Sequence, residues 1–134
     1  MVTSLLISTR GQGLYDITCE VNEVVRTEDI EEGLCTVFVQ HTSASLIIQE
    51  NADPAVQYDL QNWFNRLVAE NDSLYTHTDE GPDDMPAHIK SVLTATSIAI
   101  PIVQGKLALG IWQGLYLWEH RRRGHQRNLA IHIS

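Results

Sequence analysis

From Leu34 to Pro54 the chain reads LCTVFVQHTSASLIIQENADP. Leu34–Gln40 alternates, with Cys35, Val37 and Val39 on one side and Thr36, Phe38 and Gln40 on the other, which predicts a half-buried strand. Ser45–Gln49 is a second apolar, β-type run. Asp53-Pro54 opens a helix, with Asp53 as N-cap and Pro54 as first helical residue. The helix carries Val56, Leu60, Trp63, Phe64 and Leu67 as its apolar stripe. The break between the strands holds His41, Thr42 and Ser43 instead of the usual Gly, Pro or Asn.

Working outward, Val2–Ser8 reads as a strand, Arg10–Gly13 as a turn and Leu14–Ile17 as strand again. Thr18 predicts the N-cap of a short helix through Val25, with Val21, Val24 and Val25 on one face. Ile30–Gly33 is an acidic turn, and Asn71–Asp84 a loop. Pro86 opens a second helix with Ile89, Val92 and Leu93 expected inward. Ile98–Val103 is a strand, Gln104–Lys106 a tight turn, and Leu107–Trp118 a long strand interrupted at Gly110 and Gly114. Arg123-Gly124 turns the chain into a closing strand, Arg127–Ile133, with Leu129, Ile131 and Ile133 alternating inward. Strands gathered at the end of the chain favour an α+β domain with a largely antiparallel sheet.

The 134 residues fit one domain, 1–134, large enough to bury a core without staples. A formal charge of −8 disfavours nucleic acid and anionic membrane as general partners. Cys19 and Cys35 lack C-x-x-C spacing, and no signal-like or membrane-spanning run is visible, so a cytoplasmic setting is expected. Charge is unevenly spread. Glu70–Asp84 holds six acidic residues and no basic one, whereas Arg121, Arg122, Arg123 and Arg127 are four of the nine basic residues.

Several segments hold residues suited to chemistry. His41 at a strand end can ligate a metal or donate a proton, and the hydroxyls of Thr42, Ser43 and Ser45 can meet phosphate oxygens. A structural histidine in a Ser/Thr turn is the competing reading. Glu50 and Asn51 precede the cap and have no capping role of their own, although an exposed polar turn also accounts for them. His77 and His88, with Asp83 and Asp84 between them, have the side chains that bind zinc or another divalent ion, in a spacing that is no standard motif. A solvated acidic loop is the alternative for the carboxylates. Trp112 and Gln113 are a pocket wall or core. Glu119 is a ligand, a base, or the partner of Arg127 across what reads as a β-hairpin. His120, His125 and the arginine run are expected to form a solvated turn, and His132 points outward with no role assigned. No phosphate-binding glycine loop and no base-reading helix face is present.

Taken together, QHTSASL from Gln40, ENADP from Glu50, EGPDDMPAHIKS from Glu80, and G-x-W-Q-G-x-x-L-x-E-H from Gly110 to His120 resemble the YjbQ-type family, also called the secondary thiamine-phosphate synthase enzyme family. The resemblance implies a folded mixed, largely antiparallel sheet, a YjbQ-like pseudobarrel, with two or three helices. It implies a homotrimer with sites near subunit boundaries. It matches His41, His77 and His88 to family histidines, and Glu50, Asn51, Asp84, Trp112, Gln113, Glu119 and Arg127 to further signature positions. The implied activity is weak condensation of an aminopyrimidine diphosphate with a thiazole phosphate, releasing pyrophosphate. The alternative is a non-catalytic trimer that binds a divalent metal or a phosphorylated metabolite. On either reading the three histidines are expected to converge on a divalent metal, with zinc the first choice. Arg127 is expected to face phosphate.

Overall fold

The computed structural model describes residues Met1–Ser134. In chain order the elements are β1 (Val2–Ser8), β2 (Gly13–Asp16), α1 (Thr18–Thr27), β3 (Glu32–Val39), β4 (Ala44–Glu50), α2 (Pro54–Leu67), α3 (Asp84–Leu93), β5 (Ser97–Val103), β6 (Lys106–Leu107), β7 (Gln113–Glu119) and β8 (Gln126–Ile133). They form an α+β domain with three helices and two sheets. One sheet has the order β1-β8-β3-β5-β6 and the other β2-β7-β4, and every pairing is antiparallel. No helix is long and apolar enough to cross a membrane.

The period-2 patterns sort the strands as expected. Cys35, Val37 and Val39 of β3 and Leu129, Ile131 and Ile133 of β8 face one core, completed by Val21 and Val25 of α1 and Leu115 and Leu117 of β7. Asp53 caps α2, its carboxylate accepting from the Ala55 N–H at 2.9 Å. The turn at Gln104-Gly105 has φ of 53° and 74°, the left-handed geometry of a tight hairpin.

Three expectations are corrected. The long strand Leu107–Trp118 divides into β6 and β7, because the chain leaves the ladder at Ala108–Trp112. There the Gln113 side chain accepts from the Gly110 N–H at 2.7 Å and closes a loop. The inward face of α3 is also different: Val92 and Leu93 are exposed, whereas Asp84, Ala87, Lys90 and Ser91 are buried. Positions 84, 87 and 91 lie on one side of a 3.6-residue helix, and that side packs at the start of β4, where the Ser91 hydroxyl donates to the Ala44 carbonyl at 3.3 Å. Finally, β7 and β8 are not a hairpin. β7 pairs with β2 and β4, and β8 with β1 and β3, so the turn after β7 carries the chain between sheets. Gly124 permits this crossing, since a Cβ there would lie 2.3 Å from the Thr9 carbonyl oxygen.

Candidate metal centre

α3 begins at Asp84, which places the Asp84 carboxylate and the His88 imidazole one helical turn apart on one face. The preceding loop returns His77 to the same point. His77 Nε2 donates to Asp84 Oδ2 at 2.6 Å, and His88 Nε2 lies 3.4 Å from that same oxygen. Two ligands of a tetrahedral zinc, each about 2.1 Å from the ion, stand about 3.4 Å apart. The candidate ligand atoms of His77, Asp84 and His88 all fall within 4.8 Å of one another. Asp84 is 2% exposed, whereas both imidazoles reach the surface, so the group opens on its histidine side.

His88 Nδ1 lies 3.0 Å from the Thr42 carbonyl oxygen. A carbonyl only accepts, so Nδ1 carries a proton and the neutral imidazole would present its Nε2 lone pair to the group, which is how a metal-ligating histidine is commonly oriented. Burial by itself would raise the Asp84 carboxyl. The hydrogen bond from His77 and the positive charge of Arg121 outweigh that and hold it below the ordinary carboxylate range. Arg121 Nη1 donates to Asp84 Oδ1 at 2.8 Å.

His41 stands outside this group. Its Nε2 accepts the Asn128 N–H at 2.8 Å, which ties the residue to β8, so the cluster is two histidines and a carboxylate rather than three histidines. Burial and the Arg127 charge push His41 below the usual histidine range. The expected phosphate hydroxyls are turned inward as well. Ser43 Oγ accepts from Arg127 at 3.0 Å, and Ser45 Oγ is 2.8 Å from His120 Nε2; both serines are buried. Thr42 is exposed and contributes its carbonyl to His88.

Glu119 and Arg127 are together, but in the interior. Arg127 Nε donates to Glu119 Oε1 at 2.8 Å and Nη2 to Oε2. The carboxylate also accepts from the Thr9 hydroxyl at 2.7 Å and the Arg121 N–H at 3.1 Å. Burial would raise the Glu119 carboxyl; these donors hold it below the ordinary range. With Nε and Nη2 bonded to Glu119 and Ser43, the Arg127 side chain is buried and held in the interior. It supports the Ser43 turn, and the adjacent Thr42 carbonyl orients His88.

Glu50, Asn51, Trp112 and Gln113 form a separate constellation. Ala44 is paired with Glu119 and Glu50 with Gln113. The two ends of β4 are six residues apart, about 20 Å at strand rise. Asn51 Nδ2 donates to the Ile111 and Gln113 carbonyls, and its N–H to the Trp112 carbonyl. Glu50 accepts from the Asp53 N–H. These bonds fix a loop that presents Trp112, 62% exposed, to the outside.

Arg121, expected in a solvated turn, is instead bonded to Asp83 and Asp84. Arg121 Nε donates to Asp83 Oδ2 at 3.0 Å, and Nη2 to the Glu80 carbonyl at 2.8 Å. His120 is buried beside Phe64 and Trp118, not solvated as expected. Its pKa is pushed down to about 3 by burial and by the Lys90 and Arg127 charges. A signal for Arg121 was present, since an acidic stretch without bases and a basic run without acids in one chain are natural partners.

The sequence matches the profile of the family described as "UPF0047 protein YjbQ-like" over residues 3–134. UPF0047 protein sll1880 of Synechocystis is 56% identical over 130 residues, 97% of this chain and 88% of that protein. UPF0047 protein YjbQ of Escherichia coli O157:H7 is 40% identical over 132 residues, covering 98% and 95%. A crystal structure of a YjbQ/UPF0047 family protein from Clostridium acetobutylicum superposes with a TM-score of 0.87 at 34% identity, covering 100% of this chain and 99% of that one. None of these names states a reaction.

Proposed function

The chain belongs to the YjbQ-like UPF0047 family, and from that premise we propose that it is a metal-dependent enzyme acting on a phosphorylated small molecule. The activity we assign is weak thiamine-phosphate synthesis, the condensation of an aminopyrimidine diphosphate with a thiazole phosphate that releases pyrophosphate. The observation that carries this reading is the His77–Asp84–His88 group, with His88 held in its ligating tautomer by the Thr42 carbonyl.

A bound divalent ion, zinc as first choice, supplies a Lewis acid for the oxygens of a diphosphate leaving group. The chain's own residues do the rest. The buried Asp84 carboxylate stays ionised and aims Oδ2 at both imidazoles. Beside it a cavity of about 370 Å³ is lined by Glu80, Gly81, Asp83, Arg121, Arg122 and Arg123. The exposed Arg123 guanidinium there suits an anionic group.

The working form in this proposal is a homotrimer. One chain cannot bring Trp112 and Glu50 to its own metal centre from the far end of β4. A neighbouring copy can, and the fixed loop that displays Ile111 and Trp112 supports it. Metal content and turnover measured on one preparation test the reading. Stoichiometric metal with pyrophosphate release supports it; stoichiometric metal and phosphate-ligand binding without turnover favours a binding protein instead.

A further inference from the structure

Arg121 lies just past β7 and spends three side-chain nitrogens on one short segment. Nη1 takes Asp84 Oδ1, Nε takes Asp83 Oδ2, and Nη2 takes the Glu80 carbonyl. Its own N–H donates to Glu119 Oε2, inside the buried pair with Arg127. The Arg122 N–H adds a second hold on Asp83 at 2.9 Å. Segment 80–84 is therefore fastened to the end of β7 by one planar fork, and β7 is fastened to β8 behind it. Gly81 allows the close approach: its φ is +102°, and a Cβ there would meet Asp83 Oδ1 at 3.1 Å.

We propose that Arg121 is the positioning residue of the metal centre, holding Asp84 Oδ1 so that the carboxylate ligates through Oδ2 alone. The proposal rests on the reading of His77, Asp84 and His88 as a divalent-metal site. A carboxylate with both oxygens unengaged can rotate or chelate with two oxygens. With Oδ1 bonded to a guanidinium that is itself fixed at two further points, rotation breaks a charge-assisted hydrogen bond. Lysine retains the charge at this position but not the fork, so the two contributions separate.

The test uses the full chain as purified, with Arg121→Gln, Arg121→Lys, and Arg26→Gln as a control in a remote surface pair with Glu23. Zn²⁺ affinity is read by chelator competition, the ligand field by Co²⁺ visible absorption, and the fold by circular dichroism. Arg121→Gln should bind Zn²⁺ about 10- to 100-fold more weakly and shift the Co²⁺ bands. Arg121→Lys should recover part of the affinity with a spectrum still unlike wild type, and Arg26→Gln should match wild type. If Arg121→Gln does not fold, the Arg121→Lys spectrum and affinity decide, and wild-type values there overturn the proposal. A wild-type chain that takes up neither ion removes the metal centre and this role with it. Wild-type uptake matched by both Arg121 variants, with unchanged Co²⁺ bands, removes only the role of Arg121.

Discussion

Arg127 of β8 and Glu119 of β7 are joined at two points by hydrogen bonds across the boundary between two sheets, each almost wholly buried. Eight positions apart, they read as neighbours on a hairpin. They are instead a polar fastening between the two sheets, with Thr9 of the chain after β1 and Ser43 before β4 bonded to the same pair.

That location reverses the expected behaviour of Arg127→Ala. A surface pair would contribute under about 1 kcal/mol. Removing Arg127 here leaves a buried carboxylate without its cation, and we expect a loss of about 3–5 kcal/mol in urea denaturation. Glu119→Gln combined with Arg127→Ala should recover part of it. An unchanged melting temperature for Arg127→Ala would contradict the buried geometry.

His88→Ala should remove stoichiometric zinc, as measured by metal analysis after gel filtration, and abolish any pyrophosphate release. The fold should persist, because His88 is half-buried and its hydrogen bond is to one loop carbonyl. His41→Ala should retain the metal, since its Nε2 is committed to the Asn128 N–H.

His120 makes stability depend on pH above the carboxylate range. Its folded pKa of about 3 lies below the usual histidine value, so between that value and neutrality the unfolded chain binds a proton that the native chain refuses. Stability from this group is complete above about pH 6.5 and falls as pH drops, by about 2 kcal/mol on going to pH 5. His120→Gln, which can still reach Ser45, should flatten the denaturation free energy between pH 7 and 5 relative to wild type. Parallel curves for the two proteins would refute this.

Light scattering should give three times the 15.1 kDa chain mass across a range of concentrations. Trp63, Leu67, Val92 and Leu93 are large apolar side chains left exposed on α2 and α3 of one chain. A monomer at all concentrations would eliminate the trimer, and with it the meeting of Trp112 and the metal centre.

The core faces of β3 and β8, the start of α2 and the antiparallel α+β class were all legible along the chain. Those follow from alternation and capping, which act over a few residues. The sequence also picked out His77, Asp84 and His88 as chemically apt. That these three, and not His41, come together was not legible there, because their meeting depends on how the 71–83 loop returns to α3. The fold alone turned Arg121 from a solvated residue into the clamp on Asp84, and placed Lys90 and His120 inside. Local patterns favour charged groups at the surface. Desolvating them is favourable only when partners distant in sequence arrive with matching geometry, and that arrival is a property of the whole fold.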